Sequence, residues 1–253
     1  MGKIIFVTGT DTGVGKTVLT ASLLHYLRSH GVHALAMKPF CSGSRADVEF
    51  LQSLQDRERP DREINPYYFR EPVAPWVSSR KRRRTISFTA ILSSINGLAR
   101  RCECLLVEGV GGVMVPLIKG RTVADVIACL DCEVVVVARN QLGTINHTLI
   151  TIKTLRAVGV PENRIKVVLM NRQGMDVSAR TNRSVLGEWL APVKVFACPF
   201  FFGKINKTES VRLLAKKSKK TLACLAEIAT FAARSLEGVN SRRDKETAET
   251  KNC

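Results

Sequence analysis

The chain has 253 residues, 45% of them apolar and 6% aromatic, and a formal net charge of +17. That length favours one large domain over two, with aliphatic rather than aromatic side chains filling its core. Nowhere do about 18 apolar residues run together as a membrane span requires, and the first residues lack the basic, apolar and small-residue order of an export signal, so a cytoplasmic protein is expected.

Six short β-rich runs alternate with helix-length stretches. The runs are Lys3–Thr8, His33–Lys38, Cys104–Glu108, Glu133–Ala138, Ile165–Asn171 and Val193–Pro199. Several are continuously apolar (LLV, VVVV, VVLM), the pattern of strands covered on both faces. Between them lie amphipathic stretches such as Gly15–His30, Ser87–Arg101 and Asn146–Val158. The alternation predicts an α/β fold with a doubly wound, mostly parallel sheet. Ligands of such sheets sit beyond the carboxyl ends of the strands. The segments after each run, Thr8–Thr17, Lys38–Ser44, Glu108–Gly112, Arg139–Asn146, Asn171–Arg172 and Pro199–Phe201, should therefore line one rim. One domain over residues 1–237 and a polar, disordered tail over 238–253 are expected.

Eight cysteines stand at 41, 102, 104, 129, 132, 198, 224 and 253, and free thiols are the expectation. The pairs Cys102/Cys104 and Cys129/Cys132 raise a structural zinc site. Their irregular spacing and the lack of a nearby His argue against it. Positive charge concentrates in Arg80–Arg84, Lys204–Lys220 and Arg242–Lys251. A solvated surface or tail is the plain reading, and nucleic-acid contact the sharper one. No aromatic residue lies within the 80–84 block, which weakens base stacking.

The opening MGKIIFVTGTDTGVGKTVLT reads as strand, glycine-rich turn and helix. Its Gly9–Thr17 stretch is a P-loop one residue longer than the usual spacing. Glycines let backbone N–H groups turn toward phosphate oxygens, and the helix that follows offers its positive end. Lys16 would reach the β- and γ-phosphates, and Thr17 would offer its hydroxyl to Mg²⁺. A P-loop Mg²⁺ also wants a carboxylate. Glu108, at the end of CLLVE, is the first candidate and Asp47 the second. Lys38 ends the second run, before Pro39. Two lysines around one γ-phosphate suggest phosphoryl transfer by charge neutralisation. Equally, Lys38 could reach out to solvent along its aliphatic stem.

VTGTDTGVGKT, KPFCSGS, NPYYFREPVAPWVSS, VEGVGGVMVPL and LGTINHTLIT occur in this order over roughly residues 1–202. Together they resemble the dethiobiotin synthetase family, whose members are ATP-dependent cyclo-ligases of biotin synthesis. The resemblance implies conversion of 7,8-diaminononanoate, CO₂ and ATP to dethiobiotin, ADP and phosphate, through a carbamate and a carbamic-phosphoric anhydride. It implies that Gly13, Val14, Gly15, Lys16, Thr17 and Val18 wrap the ATP phosphates, with Gly109, Val110 and Gly111 beside them. Thr17, Asp47 and Glu108 would hold Mg²⁺, while Lys16 and Lys38 neutralise the reacting groups. Thr12 and Ser42 would bind the carbamate or diamine end. Asn171 would pair with adenine, and Pro199, Phe200 and Phe201 would shape the base pocket. Gly143, Thr144, Ile145 and Asn146 would bind the substrate carboxylate of a partner subunit, which implies a homodimer.

The chain departs from the family pattern in two places. Family members often carry an acidic residue where Gly13 stands, and the segment from Lys38 to Asp47 is short, leaving Glu49 as the alternative to Asp47. A partition-type P-loop ATPase that binds DNA non-specifically is the competing reading. It would suit the positive charge but lacks the NPYxFxEP stretch and usually carries a further lysine early in the loop. Cobyrinate and cobyrate synthases share the loop and sheet but need a glutaminase part, and too short a stretch follows Phe202 to build one. The reading thus names small-molecule substrates and a second copy of the chain as partners, with no membrane and no nucleic acid.

Overall fold

The computed structural model describes residues 2–81, 85–200 and 208–227. Arg82–Arg84, Phe201, Lys204 and the tail from 238 onward lie outside the described residues. The strands are β1 (Lys3–Gly9), β2 (Ala34–Met37), β3 (Phe40–Ser42), β4 (Tyr67–Phe69), β5 (Cys104–Gly112), β6 (Pro116–Ile118), β7 (Arg121–Thr122), β8 (Cys132–Arg139), β9 (Ile165–Met170) and β10 (Lys194–Cys198). The helices are α1 (Lys16–Ser29), α2 (Ala46–Ser53), α3 (Asp61–Ile64), α4 (Pro75–Lys81), α5 (Phe88–Ala99), α6 (Val123–Ala128), α7 (Thr144–Ala157), α8 (Asn182–Trp189) and α9 (Thr208–Lys217). None of the described helices is long and apolar enough to cross a membrane.

All six β-rich runs enter one parallel sheet of order β10-β9-β8-β1-β5-β2. Consecutive residues of each strand feed opposite cores. Ile4 and Phe6 face one, with Leu105, Val107, Val134 and Val136. Ile5 and Val7 face the other, with Leu106, Val135 and Val137. This two-sided burial is why the runs are apolar throughout rather than alternating. Buried residues of α5, α6 and α7 cover the first face, and those of α1 and α9 the second. On the sheet's outer edge, the buried amide of Gln55 accepts from Ala36 N at 2.9 Å and donates to Ala36 O at 3.1 Å, standing in for a neighbouring strand.

The chain runs from central β1 out to edge β2, returns to β5 beside β1, then crosses to β8 on β1's other side. The carboxyl end of β1 is thus the point where strand order reverses, where a crevice opens in sheets of this kind. Two small ribbons flank it. Parallel β3 and β4 pair Phe40 with Tyr67, whose rings stack at 5.0 Å, and Tyr68 Oη donates to Gly43 O at 3.0 Å. Antiparallel β6 and β7 fold back around Gly120.

Two expected boundaries move. Glu108 sits inside β5 rather than at its end, because the glycines after it keep pairing with β1, down to Gly9 opposite Gly112 after a register shift. Helix α7 begins at Thr144, not Asn146, because Gly143 takes the left-handed cap conformation with φ 90°. The described cysteines are all free. Cys102 and Cys104 point into opposite cores, so they cannot converge on one ion. Among the described residues no group of three or more His, Cys, Asp or Glu gathers as a metal cluster.

Candidate active site

The loop after β1 is tied down at several points. Thr10 N donates to Val137 O at 3.0 Å, and Gly13 O accepts from Arg139 Nη2 at 2.9 Å and Nε at 3.2 Å. Gly15 caps α1 with φ +105°, which a side chain would strain. That cap carries no side-chain hydrogen bond, so the first N–H groups of α1 remain available to an anion. Lys16 folds back across the loop, its Nζ donating to Asp11 O at 2.8 Å. Burial pushes its pKa down to about 8. Glu108 opposes that fall, Lys38 adds to it, and Asp11 and Asp47 oppose it further.

Lys38 is the first residue beyond β2. Its backbone is clamped by buried Asn65, whose Nδ2 donates to Lys38 O at 2.7 Å, and by Lys38 N donating to Ile64 O at 2.9 Å. The side chain is buried and does not reach solvent. Its ammonium lies between Glu108 Oε1, at 2.9 Å, and Asp47 Oδ2. Burial works against that charge, but Glu108 and Asp47 outweigh it and hold the Lys38 pKa above its ordinary value. Glu49 is exposed, so Asp47 is the carboxylate that enters the site.

Glu108 is 1% exposed. Its Oε1 accepts from Lys38 and from Thr17 Oγ1 at 2.7 Å, while its Oε2 is buried with no hydrogen-bond partner. An orphaned carboxylate oxygen beside a hydroxyl and near a second carboxylate is an all-oxygen donor set that fits Mg²⁺. With only two carboxylates, the set suits an ion shared with phosphate oxygens rather than a closed protein cage.

These groups line one cavity of about 590 Å³, together with Thr12, Gly13, Gly15, Val18, Ser42 and Gly109–Gly111. Ser42 Oγ is also buried without a hydrogen-bond partner. A second cavity of about 400 Å³ adjoins it through Gly13, Gly15 and Val18, and gathers Val14, Arg139, Asn171, Pro199 and Phe200. Gly143–Asn146 follow β8 on the same rim but line neither cavity. Sequence reasoning missed Asn65, the Arg139 clamp on Gly13, and Pro72, Val73 and Ala74, which line the large cavity. The signal for Asn65 and Pro72–Ala74 is the NPYYFREPVAP stretch that contains them.

Asp125 stands outside both cavities. It accepts from Thr122 N at 2.7 Å and Thr122 Oγ1 at 2.8 Å at the start of α6. Burial raises its pKa, but those bonds and Arg121 outweigh burial and leave it below the ordinary value of 3.8. Asp125→Asn should leave turnover unchanged and cost about 1 kcal/mol of stability, the worth of a helix cap. Because the folded pKa is depressed, that contribution is present above pH 3.8 and is lost as pH falls through the folded value. Thermal melts of both chains from pH 7 to pH 3 measure it. A large loss of activity would place Asp125 in the site after all.

Sheet order, loop, buried lysine and the hydroxyl–carboxylate pair define the chain as a P-loop NTPase in architecture. The family described as an AAA domain matches residues 3–226. Among solved structures, a plasmid partition protein from Borrelia burgdorferi bound to AMPPNP superposes with a TM-score of 0.52 at 12% identity, over 87% of this chain and 99% of that one. McdA of Cyanthece superposes with a TM-score of 0.52 at 14% identity, over 93% and 100%. At such identities the likeness is one of fold alone.

Sequence relatives are more specific. The ATP-dependent dethiobiotin synthetase BioD of Anaeromyxobacter sp. (strain Fw109-5) is 44% identical over 160 residues, 62% of this chain and 72% of the relative. The protein of the same name from Bacillus subtilis (strain 168) is 38% identical over 161 residues, 62% and 70% of the two chains. The chain belongs to the dethiobiotin synthetase family.

Proposed function

We propose that this chain carries out the ATP- and Mg²⁺-dependent carboxylation and ring closure of 7,8-diaminononanoate to dethiobiotin. Family membership makes it an ATP-dependent ligase of biotin synthesis that forms C–N bonds. The observation that carries the finer reading is the meeting of Lys16, Lys38, Thr17, Asp47 and Glu108 on one cavity at the strand-order reversal.

One substrate amine takes up CO₂ as a carbamate. A carbamate oxygen attacks the γ-phosphorus, the bond to the bridging oxygen breaks, and ADP leaves. The second amine attacks the anhydride carbonyl and expels phosphate, closing the ureido ring. Lys16 and Lys38 offset the negative charge that gathers when two anions are brought together. Ser42, with its unpartnered hydroxyl, and Thr12 hold the carbamate or diamine end. Bound Mg²⁺, held by Thr17, Glu108 and Asp47, would supply charge neutralisation at the β- and γ-phosphates. Asn171, Pro199 and Phe200 take the adenine, with Phe201 next in sequence. Gly143–Asn146 lie away from their own cavity, which suits service to a partner subunit's substrate in a homodimer. Cytoplasmic residence and one domain over 1–237 complete the reading.

Incubation with diaminononanoate, ¹³C-bicarbonate, Mg²⁺ and ATP, followed by mass spectrometry, should yield a labelled ureido product with matching ADP. ATP hydrolysis stimulated by DNA, with no labelled product, would overturn the reading in favour of a partition-type ATPase.

Lys16 makes nucleotide binding pH-dependent. Its pKa of about 8 in the free chain rises when polyphosphate favours the ammonium. Below that value the lysine is charged in both states. Above it, binding takes up a proton, so ATP affinity should fall as pH rises through about 8. Calorimetry at pH 8.5 in two buffers of different ionisation enthalpy measures the uptake. Equal apparent enthalpies would count against it.

A further inference from the structure

Asn171 N donates to Cys198 O at 3.0 Å, which fixes its backbone at the end of β9. Its side chain is held by a chain of buried amides. Asn182, 1% exposed, donates through Nδ2 to Asn140 Oδ1 at 3.0 Å and to the backbone oxygen of Gln141 at 3.3 Å. Asn140, 3% exposed, donates through Nδ2 to Asn171 Oδ1 at 2.8 Å and to the backbone oxygen of Ala179 at 3.1 Å. Oxygen and nitrogen of an amide can exchange places unless their partners tell them apart. Here a backbone carbonyl, which only accepts, does so at both Asn182 and Asn140. Each nitrogen must face its carbonyl, so Asn140 must present N–H to Asn171. Asn171 must then turn its oxygen toward Asn140, leaving its own NH₂ with no partner among the described residues.

We infer that Asn140, held by Asn182, is a positioning residue that locks the Asn171 amide in one orientation and thereby selects 6-amino over 6-oxo purine nucleotides. The inference rests on the proposed role of Asn171 in reading adenine. An adenine offers a donor at N6 and an acceptor at N7, which match a fixed oxygen and a fixed NH₂ respectively. A 6-oxo purine offers two acceptors, and its O6 faces the locked oxygen. The second lone pair of Asn171 Oδ1 serves N6 while the first serves Asn140.

Asn140→Asp replaces the donating nitrogen with an acceptor of the same shape. The Asn171 amide then turns over, its NH₂ toward Asp and its oxygen toward N7. ATP loses both matches. ITP exchanges one match for another and changes little.

The test is the ratio of ITP to ATP dissociation constants, by calorimetry on the full chain with Mg²⁺. The wild type should favour ATP by about 10- to 100-fold, the range of one bidentate pair. Asn171→Ala should bring the ratio near one. Asn140→Asp should take the ratio below one, by weakening ATP, and Asn182→Ala should lower it less. Should Asn140→Asp fail to fold, Asn140→Ala carries the test, since a freed amide also loses the preference. If the wild type shows no preference, or Asn171→Ala keeps it, the adenine reading itself falls. If Asn171→Ala abolishes the preference while a folded Asn140 variant retains it, Asn140 is structural only and the inference falls alone.

Discussion

Lys38→Ala should abolish turnover while ATP still binds. The ammonium stands 2.9 Å from Glu108 Oε1 and also on Asp47, opposite the loop that carries Lys16 and Thr17. In the proposed mechanism a cation there would meet the γ-phosphate and the attacking carbamate together, beyond what the P-loop lysine alone would do. Its loss should cost roughly 10³-fold or more in turnover, the scale seen when a charge-neutralising cation is withheld from phosphoryl transfer. ATP affinity should change by only about fivefold, because on the proposed reading loop N–H groups and Lys16 would supply most phosphate contacts. The variant has a second signature. Without Lys38, the fully buried Glu108 side chain loses its cationic hydrogen-bond partner, and removing one member of a buried pair destabilises by about 3 kcal/mol. Exposure of roughly half of Asp47 softens that cost. Lys38 also competes with a divalent ion for the two carboxylates, so Mg²⁺ alone should raise the melting temperature more in the variant than in the wild type. Single-turnover kinetics, nucleotide titration and thermal melts with and without Mg²⁺ separate these effects. Turnover within tenfold of wild type would remove Lys38 from the chemistry.

The sheet was legible because a strand buried on both faces writes a continuous apolar run, as LLV, VVVV and VVLM do, while the edge strand β10 (KVFAC) is only partly buried and writes a weaker one. The small ribbon of β3 and β4 left no such trace. FCS and YYF are three residues each and mix polarities, and long-range bonds join them, from Tyr67 N to Pro39 O, Gly43 N to Phe69 O, Asn65 Nδ2 to Lys38 O and Tyr68 Oη to Gly43 O. Glu108 was legible as a carboxylate of the rim but not as a mid-strand residue, since a GVGG run looks like a loop, yet β5 continues through it to place Gly112 opposite Gly9 of β1. Lys38 could be read from its neighbours either as a site cation or as a surface lysine. What turns it inward is Glu108, 70 residues away in sequence, and local pattern carries no information over that distance. The same holds for Asn140, Asn171 and Asn182, isolated amides on three elements whose relation exists only after β8, β9 and α8 have packed. The P-loop is the opposite case, its lysine, threonine and glycines being consecutive.

Glu108→Gln should lower turnover by about 10²- to 10³-fold, and it tests the electrostatics of the site as well as its composition. The amide keeps an oxygen to accept from Thr17 and Lys38, but it places an NH₂ where the buried, partnerless Oε2 now stands. A donor in that spot repels a cation and has nothing to bind, so Mg²⁺-dependent nucleotide affinity should fall with turnover. The charge lost is also the strongest influence raising the Lys16 pKa, whereas Lys38 is a like charge that lowers it. The two variants should therefore move nucleotide binding in opposite directions along the pH axis. Glu108→Gln drops the Lys16 pKa further, so affinity begins to fall below pH 8. Lys38→Ala lets it rise, so affinity holds to higher pH. Dissociation constants for ATP from pH 6.5 to pH 9.5, taken on all three chains, measure both shifts. Displacement of both variants in the same direction would mean that Lys16 does not feel the Lys38–Glu108 pair, and that the nucleotide's phosphates are held by the loop backbone without the coupled charges behind it.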